Sequence, residues 1–267
     1  MTHAYDTLMD NLAALAVEAM RMPVTAVQSY WLLLAARPDT AGLCLMSGAL
    51  LQQAHETTAL PLPAWAQPIA SQALEHLWRQ GRWWETPEAL TLPQGRTGMD
   101  SAPTSQTLLR WKAAYQPYID EMQDYAGRIW QAACRLYGAL TPDLAALPEE
   151  MRGGVVLFEA GLFFACHEYF EILWGRVDDA ASDLYQGMIQ IAVAMRHLES
   201  HNVRGAMILL RYGMGRLQRY PVVYQGLALE AWLERLERLR QYLETLPDPT
   251  SYQFDPRHVP PLLKRAR

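Results

Sequence analysis

The segment Phe164-Ala165-Cys166-His167-Glu168-Tyr169-Phe170-Glu171-Ile172-Leu173-Trp174 places an imidazole and two carboxylates within one and a half helical turns. Apolar residues surround them. A histidine and a glutamate one turn apart in such a setting must hydrogen-bond, ionise as a pair, or bind something. On a helical wheel Phe164, His167, Glu171 and Trp174 fall within an arc of about 80°. Gln186, Gln190, Val193 and His197 fall within about 60° on the next helical stretch. If the two stretches pack antiparallel, the polar stripes can meet. Two chemistries follow. In one, His167, Glu171, Gln186, Gln190 and His197 form a buried structural network that pins two helices, with Trp174 as a core residue. In the other, His167, Glu171 and His197 ligate a divalent transition metal such as zinc, manganese or iron. Glu168 then serves as a catalytic base on bound water, which is hydrolase chemistry.

A second polar feature is basic. Arg204, Arg211, Arg216 and Arg219 span an arc of about 140° on one helix and are candidate phosphate contacts. The alternative is a solvated face whose arginines pair with acids on the last helix. The cluster Trp78, Trp83 and Trp84, with Arg79 and Arg82, suits stacking on a ring or packing of a helix end. The adjacent pairs His55-Glu56 and Glu75-His76 point to different faces of a helix and make poor sites. No phosphate-cradling glycine loop, dinucleotide fingerprint, nucleophile elbow or H-E-x-x-H motif occurs.

The elements that must position these residues are helical almost throughout. Apolar spacing predicts helices over about 7–20, 25–36, 39–56, 65–80, 106–140, 150–175, 182–200, 203–219 and 227–245. Asn202 reads as the N-cap of the helix that follows it, bonding the Arg204 or Gly205 amide. Strand signals are scarce. The expected fold class is all-α, a helical bundle or array in two parts. Residues 1–86 form an N-terminal helical domain, 87–105 a Pro/Gly-rich linker, 106–246 a second helical domain, and 247–267 a Pro-rich basic tail. Limited proteolysis is expected to cut first in the linker.

The polar positions carry a resemblance. His167-Glu168-x-x-Glu171-x-x-Trp174, Gln186-Gly187-x-Ile189-Gln190, His197, and Asn202-x-x-Gly205-Ala206 together resemble the domain of unknown function 309 family. The likeness runs from about Leu157 to Tyr220. Ala165 stands where the family pattern has a glutamate, which weakens any mechanism needing three carboxylates on this helix. The resemblance implies an all-helical fold and a set of matching positions; it implies no reaction. Nothing in the first hundred residues shares it.

Composition bounds the rest. At roughly 150 residues per domain, 267 residues make one large or two modest domains. Hydrophobic residues reach 51%, enough for a packed core. A net charge of −5 argues against a protein that coats nucleic acid. Cys44, Cys134 and Cys166 form no C-x-x-C pair and are odd in number, so neither a disulfide framework nor a zinc knuckle is indicated. The start lacks the pattern of a signal peptide, and the longest apolar stretch, 23–36, is too short and too polar to span a membrane. The expectation is a cytoplasmic helical protein with a protein partner. Its polar cluster is structural in the leading reading and a metal-dependent hydrolase site in the alternative.

Overall fold

The computed structural model describes residues 3–36, 55–56, 62–80, 82–85, 110–177 and 179–263. The expected linker lies outside them, as does most of the helix expected over 39–56 and the basic end of the tail. Contacts divide the chain into two units, Met1–Gly138 and Ala139–Arg267. The architecture is all-α, as the periodicity predicted.

The first unit is built on α1 (His3–Ala19), α2 (Pro23–Ala35), α3 (Ala70–Arg79) and α4 (Ile119–Tyr137). Proline at the first helical position of α2 removes no hydrogen bond and fixes a helical φ. Helix α2 packs on each of the other three, so its polar residues Thr25, Gln28 and Ser29 are buried with its apolar ones. Ser29 Oγ donates to the Ala26 carbonyl at 2.6 Å, and Gln28 Oε1 accepts from Gln80 Nε2 at 3.3 Å. Tyr137 donates its hydroxyl to the Ala19 carbonyl at 2.8 Å, tying α4 to the end of α1. No helix among the described residues is long and apolar enough to cross a membrane.

Two departures from the expected helices have local causes. Helix α4 starts at Ile119 instead of near 106, because Pro117 sits in a 3-10 segment, Ala113–Tyr118, ahead of it. Before that segment Trp84–Glu85 (β1) pairs antiparallel with Arg110–Trp111 (β2), a contact between distant residues that no local periodicity announces. The Trp84 and Trp111 rings lie 4.3 Å apart, and Trp83 is fully buried, so these tryptophans serve packing. Helix α4, assigned from the sequence to the second part, packs on α2 in the first unit.

The second unit holds α5 (Pro142–Ala145), α6 (Glu149–Glu159), α7 (Phe163–Trp174), α8 (Asp179–Glu199), α9 (Val203–Leu217) and α10 (Leu229–Glu244). The stretch read as one helix over 150–175 is two, broken at Gly161, whose φ of 71° only glycine adopts without strain. The chain reverses there, and α7 folds back on α6. Their close approach depends on Gly153 and Gly154. A Cβ at either would lie 2.5 Å from the Tyr169 or Phe170 ring. Helices α8 and α9 cross as closely at Gly187 and Gly213, where a Cβ on Gly213 would meet the Gly187 carbonyl oxygen at 3.0 Å. Asn202 caps α9 as expected, its Oδ1 accepting from the Gly205 amide at 2.9 Å.

The proline-rich tail packs against the same unit. Trp232 Nε1 donates to the Pro260 carbonyl at 3.1 Å, and Arg235 Nη2 to the Pro261 carbonyl at 2.8 Å. Glu159 Oε1 accepts from the Leu262 and Leu263 amides at 2.5 and 3.1 Å. Tyr252, Leu262 and Leu263 are buried.

Candidate functional site

Helix α7 carries the constellation. Its start is set by the turn at Gly161 and its end by Gly175. Ala165, Cys166, Tyr169, Phe170 and Leu173 form the buried face, against α6 and α8. The Tyr169 hydroxyl donates to the Glu150 carbonyl at 2.9 Å, which locks the rotation of α7 about its axis. That rotation brings His167, Glu168 and Glu171 to the edge of the buried face.

His167 lies between the two carboxylates. Its Nε2 is 3.0 Å from Glu171 Oε1, one turn along the same helix. Its Nδ1 is 3.4 Å from Glu168 Oε1, without the alignment of a hydrogen bond, and that nitrogen is shielded from solvent. The histidine side chain is 17% exposed, whereas Glu168 and Glu171 are 44% and 47% exposed. One potential ligand atom from each of the three lies within 4.8 Å of the others. An imidazole and two carboxylates converging so closely offer a mixed nitrogen and oxygen donor set with an open side toward solvent.

The sequence suggested a buried network of His167, Glu171, Gln186, Gln190 and His197 with Trp174 in the core; His167, Gln186, Gln190 and His197 are half-buried, whereas Glu171 is 47% exposed. Trp174, expected in the core, is 41% exposed, and Phe164 is 37% exposed. The reason is position: both project from the solvent edge of the helix wheel at its first and last turns. Trp174 Nε1 donates to Ser182 Oγ on α8 at 2.8 Å, a bond that crosses from α7 to α8.

The second polar stripe joins less closely than the wheel suggested. His197 turns to the end of its own helix, where its Nδ1 lies 3.1 Å from Asn202 Nδ2. It is absent from the three-residue donor group, and Glu168, expected as a base beside the metal, stands among the potential ligands. Gln186 is half-buried. Gln190 is half-buried too, and its Oε1 is shielded from solvent without a hydrogen-bond donor among the described residues.

The two cysteines among the described residues, Cys134 and Cys166, supply no nucleophile. Cys166 is fully buried, its Sγ lies 3.4 Å from the Gly154 carbonyl, and burial pushes its thiol far up. Burial also raises the half-buried Cys134, to about 11. Thiolates are the reactive form, so neither is poised to react.

The arginine face divides between an acid-bound pair and exposed groups. Arg216 and Arg219 both bind Asp183 of α8, Arg219 Nη1 at 2.6 Å from Oδ2. Partial burial pushes the Asp183 carboxyl up, but the hydrogen bonds and charges of the two arginines hold it below its ordinary value. The acid that answers them is on α8; the sequence reading looked for it on α10. Arg211 stacks over Tyr212 at 5.3 Å, and Arg204 is exposed. The sequence reading passed over Arg235, Arg238, Arg257 and His258. They are distant in the chain, and only the fold of the tail onto α10 gathers them.

The fold and the site define a helical domain with a polar edge on a glycine-packed helix pair. One family model, described as Domain of unknown function (DUF309), matches residues 151–209, from α6 into α9. The match falls in the C-terminal part of the chain, where the motif spacing resembled that family, and it reaches over His167, Glu168, Glu171, Gln186, Gln190 and His197. No curated protein and no solved structure matches the chain.

Proposed function

We propose that the C-terminal unit is a binding domain for a divalent transition-metal ion held by His167, Glu168 and Glu171. The observation that carries this is the convergence of one ligand atom from each residue within 4.8 Å. One imidazole and two carboxylates suit zinc, manganese or iron better than calcium, which prefers oxygen ligands throughout. Three protein ligands on one side of an ion leave positions for water or a further donor. In this proposal Glu168 is a ligand, and a hydrolase mechanism would need its base from elsewhere. The family assigns no reaction, and the proposal stops at binding.

The exposed rings of Phe164 and Trp174 on either side of the polar group favour a second element of the reading, a protein-interaction role for the same edge. Surface aromatics beside a charged centre are the usual anchors of an interface.

Calorimetric titration of chelator-stripped, tag-free protein with zinc or manganese tests the metal reading. The wild type is expected to bind one ion per chain, and Glu168→Gln to bind it at least roughly tenfold more weakly, the size of effect that altering one contact to a metal site typically gives. Unchanged affinity in Glu168→Gln would remove that residue from the site.

A further inference from the structure

The fold of the tail onto α10 makes a groove that the metal reading does not use. Its volume is about 450 Å³, within the range of small-ligand sites. One wall is α10, with Arg235, Arg238 and Tyr242; the other is the tail, with Arg257, His258 and Val259. The walls are fixed by the bonds from Trp232 to the Pro260 carbonyl and from Arg235 to the Pro261 carbonyl. Glu159 anchors the next two tail amides. The groove is therefore formed before any ligand arrives.

Its chemistry is cationic and aromatic. Arg235 uses Nη2 on the Pro261 carbonyl, while its Nε is shielded from solvent with no acceptor among the described residues. A guanidinium offers five N–H donors, so acceptor capacity is missing on this wall. Arg238, one turn along, is exposed and has no ion-pair partner among the described residues. Arg257 is held by Asp255 at 2.6 Å, which offsets its charge and fixes its position. Glu159 and Glu234 lie near enough to Arg235 for their charges to act on it, as does Arg238. Burial first, and then the charge of Arg238, lowers the Arg235 guanidinium from its ordinary value, outweighing those two acids. Beside the guanidiniums, the Tyr242 and His258 rings meet at 5.6 Å, edge to face, with Tyr242 45% exposed.

We propose that this groove binds a phosphate monoester bearing a planar ring, the chemistry of a mononucleotide. Arg235 and Arg238 take the phosphate, and Tyr242 with His258 takes the ring. Guanidiniums match phosphate oxygens in geometry and charge, and an anion placed there relieves the repulsion between the two arginines. A ring against Tyr242 covers aromatic surface that otherwise faces water. The small volume, with two guanidiniums beside two rings, suits a small molecule.

The test is titration of the full chain with adenosine monophosphate and, separately, with inorganic phosphate. A chelator is present throughout, so that metal bound at α7 plays no part. Protein-observed NMR or calorimetry reads the binding. Arg238→Ala and Tyr242→Ala are the variants, since both side chains are exposed and their loss leaves the tail bonds intact. The expected result is saturable binding of the nucleotide, weakened roughly tenfold by Arg238→Ala, as loss of a charge-assisted contact to phosphate implies. Tyr242→Ala should weaken the nucleotide and leave inorganic phosphate unchanged. Equal affinity for nucleotide and phosphate in the wild type would overturn the ring assignment. Absence of saturable binding of either up to about 10 mM, or wild-type affinity in both variants, would overturn the site.

Discussion

Replacing Gly213 by alanine probes the scaffold that presents α7, because α8 packs on α7 and crosses α9 at this residue. A Cβ there would sit 2.8 Å from Ile191 Cγ1, 3.0 Å from the Gly187 carbonyl oxygen and 3.2 Å from Gln190 Cβ. The isoleucine can shift a rotamer. The carbonyl belongs to a helix backbone and can yield only if the helices separate. Overpacking of this kind costs about 1–3 kcal/mol. Alanine also gains about 1 kcal/mol of helix propensity over glycine, which masks part of that cost. Gly215→Ala supplies the control. It lies in the same helix, is exposed, and has no atom within 4 Å of its added Cβ. The propensity gain is common to both variants and cancels in their difference. Urea unfolding of both should therefore place Gly213→Ala about 1–3 kcal/mol below Gly215→Ala, with Gly215→Ala at or above wild type. Equal stabilities would refute the argument, since the helices would then not be as close as the geometry requires.

Three further outcomes are expected. His167→Ala, measured with a chelator present, should cost no more than about 2 kcal/mol, since the largely buried imidazole loses some packing but water reaches the abandoned Glu171, 47% exposed; a loss of about 3–5 kcal/mol would restore the buried-network description. Asp183 has a folded-state pKa below its unfolded one, so its pairs contribute fully above the unfolded value of about 3.9 and lose that contribution as pH falls through the lower folded value. Asp183→Asn should flatten the acid limb of the stability profile, and an unaltered limb would count against the pairs. Glu159→Ala removes the acceptor of the Leu262 and Leu263 amides, so hydrogen exchange there should accelerate while α8 keeps its protection; unchanged exchange would mean that the tail is held by apolar contacts alone.

Local pattern carried much of this fold and less of the site. The helices α8, α9 and α10 follow from apolar spacing, and the cap at Asn202 follows from residue type. The break at Gly161 was missed because a single glycine inside an apolar run reads as a tolerated interior residue until its φ is known. The wheel correctly put Phe164, His167, Glu171 and Trp174 on one stripe, but it carries no information on which side of that stripe water lies. Exposure of Trp174 depends on where α7 ends relative to its neighbours. The pairing of Arg216 and Arg219 with Asp183 joins residues more than thirty positions apart. The same limit hid the Arg235 and Arg238 groove, whose second wall is a proline-rich tail with no periodicity to read.

The metal content of tag-free protein, equilibrated with zinc or manganese and then freed of unbound ion, tests the central claim most directly. Wild type, His167→Ala and His197→Ala should be compared by elemental analysis. The account predicts one ion per chain in the wild type, its loss in His167→Ala and its retention in His197→Ala, because His197 is engaged with Asn202 away from the donor group. No bound metal in the wild type, or loss of metal in His197→Ala with retention in His167→Ala, would contradict it.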